Sequence, residues 1–192
     1  MRNLVGVIAQ QKLVRTLLSN MDVMGMEYSW IDSNNSKVWI PQSDDDYAIE
    51  NNLKAIGWVK DGRNRVLSFN LSIPVIGKNV DICLFDCSLA DYNGGRIVKN
   101  PEKLVMLGEL KGGIDPAGAD EHWKTANSAL GRIRVGCGAV NPQLKTSFVG
   151  AAIETSMADE IWTQLETGVL NHAANMTVEN QLINYCDWLL AI

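Results

Sequence analysis

The chain predicts a mixed α/β fold, and three observations carry that prediction. It opens on an amphipathic helical stripe, runs through three consecutive strand-like segments, and closes with helix, strand and two further helices. A short continuous apolar run late in the chain, SFVGAAI over residues 147–153, is of the kind buried on both faces of a sheet. With 192 residues, 46% of them hydrophobic and 20% charged, the chain can bury a core without disulfide or metal staples.

Taken in order, residues 2–21 carry Leu4, Val7, Ile8, Val14, Leu17, Leu18 and Met21 at helical spacing. Residues 20–39 are turn-rich, with Asn20, Asp32, Ser33, Asn34, Asn35 and Ser36, and leave room for a short strand at 37–40. Ser43, followed by Asp44, Asp45 and Asp46, predicts a helix start with acids at the positive end of the helix dipole. Tyr47, Ile49, Leu53 and Ile56 carry that second helix to about Gly57. Residues 65–75 (RVLSFNLSIPV), 79–87 (NVDICLFDC) and 103–111 (KLVMLGELK) predict three strands. A glycine-rich loop at 112–118 follows, then a helix from about Glu121 to Arg134, capped by Asp120, with Trp123, Ala126, Leu130 and Ile133 on one face. Helices are predicted near 157–167 and 177–190. Nothing resembling a repeat or linker divides the chain, so one domain over 1–192 is expected.

Composition excludes some functions and argues against others. No apolar run approaches the roughly 18 residues that a membrane helix needs. Gln10, Gln11, Lys12 and Arg15 interrupt what would be the core of a secretory signal, so a cytoplasmic protein is expected. Cys83, Cys87, Cys137 and Cys186 form no CxxC pair, which argues against structural zinc. A net charge of -5 argues, by itself, against a nucleic-acid partner.

The chemistry lies at the end of the third predicted strand. Glu109 and Lys111, two apart, project from one face. On the preceding strand Asp81 interrupts Val80, Ile82, Cys83, Leu84 and Phe85, and an acid within an apolar run is costly unless paired or bound to a cation. If the two strands are neighbours, Asp81 and Glu109 meet around one divalent metal with Lys111 beside them. The residues alone fit equally well a surface salt bridge between Glu109 and Lys111 with Asp81 at a strand end. Likewise His122 alone reads as a surface or capping residue, Asp115 as a turn residue before Pro116, and Lys124, Arg132 and Arg134 as a solvated helix face.

The longer stretch LGELKGGIDPAGADEHWKTAN, residues 107–127, settles on one of these. It resembles the catalytic segment of the AvaI/BsoBI family of type II restriction endonucleases, within the PD-(D/E)xK nucleases, and the spacing from Asp81 through Glu109 and Lys111 to His122 agrees. The resemblance implies a restriction-endonuclease-like core, a mixed central sheet flanked by helices. Residues 1–57 would be N-terminal helices, 58–154 the catalytic sheet core with its helix, and 155–192 the C-terminal helices. It implies Asp81, Glu109 and the backbone carbonyl of Leu110 as ligands for Mg²⁺, with Mn²⁺ as a substitute. Lys111 becomes the catalytic lysine, and His122 the group that deprotonates or orients the attacking water. Asp115 would accept a hydrogen bond from a cytosine amino group, and Lys124, Arg132 and Arg134 would contact phosphates.

The implied activity is Mg²⁺-dependent hydrolysis of double-stranded DNA at a short palindrome, CYCGRG in the family, leaving four-base 5′ overhangs. A homodimer would provide the matching two-fold axis, with Met157, Trp162, Leu165, Trp188 and Leu189 as candidates for its interface. A prokaryotic or phage-like cytoplasmic setting and no membrane partner complete the expectation. A structure-specific repair nuclease and a catalytically silent DNA-binding protein of the same fold are the alternatives.

Overall fold

The structure is a computed structural model and describes residues 4–35 and 37–192. Arg2 and Asn3 of the predicted first helix and Ser36 of the turn-rich stretch lie outside the described residues. Helix α1 (Leu4–Val23) buries Ala9, Leu13, Val14, Leu17, Leu18 and Met21, the helical spacing expected of a core-facing stripe. The first turns of that stripe differ from expectation, because Leu4 and Ile8 are exposed.

Strand β1 (Tyr28–Asp32) and the two-residue β2 (Ile40–Pro41) follow. The turn-rich reading of 20–39 overlooked β1, and the short strand lies at the end of its predicted range. Helix α2 (Asp46–Asn52) is capped by Asp45, whose carboxylate accepts from the Ala48 N–H at 3.0 Å, and not by Ser43. It ends five residues before Gly57, since Leu53–Lys60 is strand β3 and continues into β4 (Arg63–Ile73). Between them Asp61 (φ 51) and Gly62 (φ 74) are both left-handed, the two-residue turn whose twist matches a hairpin. Strand β3 pairs with β1 on one side and β4 on the other, and these two ladders outweigh the helical spacing of Leu53 and Ile56.

Strand β5 (Lys78–Phe85), the short helix α3 (Gly94–Ile97) and β6 (Leu104–Lys111) come next. Helix α4 (Pro116–Gly138) starts earlier than predicted: Pro116 opens it and the Gly118 N–H donates to the Asp115 carbonyl, so Asp120 lies inside. Strand β7 (Lys145–Gly150), α5 (Thr155–Glu166), β8 (His172–Asn175) and α6 (Glu179–Ala191) complete the chain. Among the described residues the strands form one eight-stranded mixed sheet, ordered β2-β1-β3-β4-β5-β6-β7-β8. Pairing is antiparallel through β6 and parallel from β6 to β8, with α4 bridging β6 and β7 as the crossover that parallel neighbours require.

Each face of the sheet has its own core. One packs α1, α2 and α6 against Leu67, Phe69, Ile82, Leu84, Met106 and Val149. The other packs α4 and α5 against Val66, Cys83, Phe85, Leu107 and Phe148. No helix among the described residues is long and apolar enough to cross a membrane.

Candidate active site

Strand β6 runs buried through Met106, Leu107, Gly108 and Glu109, and becomes partly accessible at Leu110 and Lys111. Glu109 and Lys111 share the orientation of Leu107, towards α4. Strands β5 and β6 are paired as far as Ile82 and Gly108. At the next position the carboxylate of Asp81 bridges the two strands, its Oδ2 accepting from the Leu110 backbone N–H at 2.9 Å. The Lys111 ammonium donates to that same oxygen at 3.0 Å and to Glu109 Oε2 at 2.7 Å. The three side chains expected from sequence to share a site are therefore joined through one Nζ.

The electrostatics follow from burial. Glu109 is 4% exposed. Desolvation, then the charge of Asp81, push its carboxyl up to about 7, although Lys111 pulls the other way. For Lys111 burial favours loss of the proton, but the charges and hydrogen bonds of Glu109 and Asp81 together outweigh it and hold the ammonium above its ordinary range. A buried carboxylate disfavoured as an anion, facing a second carboxylate, is a place where added positive charge is stabilising. The donor set is oxygen, the set that Mg²⁺ takes, and Mg²⁺ is commonly held by one or two carboxylates with water and phosphate completing its shell. Among the described residues no group of three or more His, Cys, Asp or Glu that could hold a metal occurs. A strand residue's N–H and C=O point to the same neighbouring strand, which aims the Leu110 carbonyl at the gap that Asp81 occupies.

Helix α4 brings the remaining candidates to different places. His122 is exposed, and its ring lies over the loop after β6: a side chain on Gly113 would run into His122 Nε2, and one on Gly118 would reach within 3.6 Å of it. The neighbouring Gly112 is closed off by α1, where an added Cβ would meet the Val5 carbonyl and Ala9. These close approaches are to the protein's own groups, a reason for the glycines that sequence reading missed. Asp115 is exposed at the residue before α4. Lys124 is exposed and pairs with Asp120 at 2.5 Å, about 12 Å along the helix from Pro116.

Arg132 and Arg134 are not brought to the cluster. They lie about 24 Å and 27 Å along the helix. Arg134 donates to the Val169 carbonyl at 3.5 Å and lines a cleft with Lys145, Thr146 and Asn171 at the far end of the sheet. His172 belongs to β8, where its ring packs on Tyr185 and Trp188 and burial lowers its pKa. Of the residues considered for a subunit interface, Met157 and Leu189 are core, and Trp162 is exposed.

Comparisons with known proteins show the family of the chain. A family described as restriction endonuclease BsobI matches residues 1–192. The type II restriction enzyme BsoBI of Geobacillus stearothermophilus is 48% identical over 194 residues, covering 100% of this chain and 60% of that protein. The type II restriction enzymes AvaI of Nostoc sp. and of Anabaena variabilis are each 48% identical over 192 residues, again 100% of this chain and 60% of theirs. The chain thus spans 60% of the length of these curated relatives. By the match along its whole length, this chain belongs to the BsobI restriction endonuclease family.

Proposed function

We propose that residues 1–192 act as one endonuclease domain, the catalytic unit of a Mg²⁺-dependent, sequence-specific double-strand DNA endonuclease. It hydrolyses phosphodiester bonds at a short palindromic site and works as a cytoplasmic homodimer. The observation that carries the reading is the convergence of Asp81 and Glu109 on Lys111 Nζ at the accessible end of β6.

In this reading Asp81, Glu109 and the Leu110 carbonyl hold Mg²⁺, or Mn²⁺ in its place. When bound, such a cation lowers the pKa of a coordinated water and neutralises charge on the phosphate. Lys111, kept protonated by the two carboxylates, donates to the attacking water or to a phosphate oxygen and offsets the negative charge that builds there. Its place between Asp81 and Glu109 orients that donation without a further partner. His122 accepts the proton of the attacking water or orients it. Imidazoles are the side chains that exchange a proton near neutral pH, and Gly113 and Gly118 seat this one where solvent reaches it.

Asp115, exposed at the start of α4, presents a carboxylate to the DNA groove, where it accepts from a cytosine amino group. Lys124 serves phosphate binding nearest the cluster, exchanging Asp120 for the backbone. Arg132 and Arg134 can serve only on DNA reaching the far end of α4.

The test is incubation of the protein with a long plasmid or phage DNA, with Mg²⁺ and then with EDTA, followed by mapping of the ends. Discrete fragments with a common end sequence, lost in EDTA, are expected. A smear or a preference for branched substrates favours a repair nuclease, and no cleavage with any divalent metal contradicts the proposal.

A further inference from the structure

Strand β4 carries an irregularity directly opposite Asp81. The ladder between β4 and β5 pairs Phe69 with Ile82 and Leu71 with Val80, and between those pairs Asn70 faces Asp81 without pairing. Asn70 has φ 56, a left-handed conformation that extended strands do not use and that L residues other than asparagine and aspartate rarely adopt. It lies inside an eleven-residue strand and not in a turn, so no change of chain direction calls for it.

The alternation of side chains breaks at the same place on both strands. On β4, Leu67 and Phe69 pack into the α1 and α6 core, whereas Leu71 and Ile73 pack into the α4 core. On β5, Ile82 and Leu84 belong to the first core, yet Val80, two residues before Ile82, belongs to the second. Residues two apart on a regular strand share a face, so both strands turn over by one step at Asn70 and Asp81. Two side chains leave the sheet at this step in different directions. The Asn70 amide donates to Gln10 Oε1 of α1 at 3.0 Å. The Asp81 carboxylate goes across to the Leu110 N–H and Lys111 Nζ.

We propose that Asn70 is a positioning residue for Asp81: its left-handed backbone, anchored to α1 through Gln10, sets the step in β4 and β5 that turns the Asp81 carboxylate towards Leu110 and Lys111. With regular strands, Asp81 would keep the alternation of Cys83 and Phe85 and project from the α4 face, instead of reaching across to the Leu110 N–H. Asparagine suits the position because it tolerates positive φ and also supplies the amide for the anchor. This inference rests on the nuclease reading for its purpose, although its geometry does not.

The test compares wild type, Asn70→Ala, Asn70→Gly and Gln10→Ala by two readouts. The first, taken without metal, is protection of the Leu110 amide against hydrogen exchange. The second is Mn²⁺ affinity by calorimetry. Asn70→Ala, which disfavours positive φ, is expected to lower Leu110 protection and weaken Mn²⁺ binding by about tenfold each, which is about 1.4 kcal/mol. Asn70→Gly, free to keep positive φ, should stay within about threefold of wild type on both. Gln10→Ala, which loses the same anchor and leaves the Asn70 backbone in place, should likewise stay within about threefold. In cleavage assays Asn70→Ala should lower kcat while leaving KM for DNA unchanged. Wild-type values for Asn70→Ala, or equal losses in Asn70→Ala and Asn70→Gly, overturn the assignment. Failure of wild type itself to bind Mn²⁺ overturns the nuclease reading, and the metal-free Leu110 readout then still decides the part played by Asn70.

Discussion

Lys111 is the residue on which both carboxylates converge, and its neighbours show how single atoms decide the chemistry. Glu109, held up to about 7 chiefly by burial, gives a pH dependence of known sign. In the unfolded chain a glutamate ionises at about 4.3, so between there and about 7 the metal-free folded protein carries the extra proton. Stability should therefore fall as pH rises through that window and level off above it. Glu109→Gln should remove that contribution, so the wild-type-minus-variant difference in denaturant stability should decline from pH 4.5 to 7.5. A difference that is constant with pH contradicts the assignment. Gly113 offers a second test at this scale. Alanine there displaces His122, whose exposed ring is free to move, so Gly113→Ala should reduce kcat at least tenfold with the thermal midpoint unchanged. Normal turnover would remove His122 from the mechanism. Glu109 and Lys111 were legible from their spacing because residues two apart on a regular stretch of strand share a face. Asn70 was not legible, because one residue's φ leaves no trace in a hydrophobic pattern.

Helix α4 is the element that ties the site to the rest of the sheet. Its Trp123, buried and edge-on to Phe148 with ring centroids 5.0 Å apart, donates its indole N–H to Glu160 of α5 at 2.6 Å. Asn127 donates to the other oxygen of the same carboxylate at 2.8 Å. Glu160→Ala strands a buried indole N–H, and should cost about 1–3 kcal/mol of stability, read as a lower urea midpoint. A midpoint unchanged from wild type would show that the link contributes nothing. The same helix shows where sequence reading succeeds and fails. Its apolar face, Trp123, Ala126, Leu130 and Ile133, was plain from the 3.6-residue period. Its start was misplaced because Asp120 resembles a cap, while the true start depends on Pro116 and the carbonyl of Asp115. Strand β3 was misread for a related reason: Leu53 and Ile56 fit a helical period over a short window, whereas its partners β1 and β4 come from elsewhere in the chain. The Asp61–Gly62 turn was the local signal that pointed to a hairpin.

For the whole molecule the net charge of -5 takes on a different meaning once the acids are placed. Asp81 and Glu109 face Lys111 and the proposed cation site, whereas Asp44, Asp45 and Asp46 sit at the start of α2, on the α1 side of the sheet. Total charge thus describes long-range attraction and says little about the site. DNA binding should be weak without divalent ions and strengthen at least tenfold with Ca²⁺, as read by fluorescence anisotropy of a labelled duplex. Equal affinity with and without Ca²⁺ contradicts the placement of the cation. The sheet order also explains why sequence alone yielded the class of fold but not its plan. Local periods announce β4, β5, β6 and β7, while β1 and the edge strand β8 are short and pair with segments from elsewhere in the chain. We propose that one cluster, Asp81, Glu109 and Lys111, performs DNA hydrolysis. Its most direct test is single-turnover cleavage of plasmid DNA in Mg²⁺ by wild type beside Lys111→Ala and Glu109→Ala, each checked for native circular dichroism. Cleavage by wild type and none by either folded variant is the predicted result, and cleavage at the wild-type rate by either one would contradict the account.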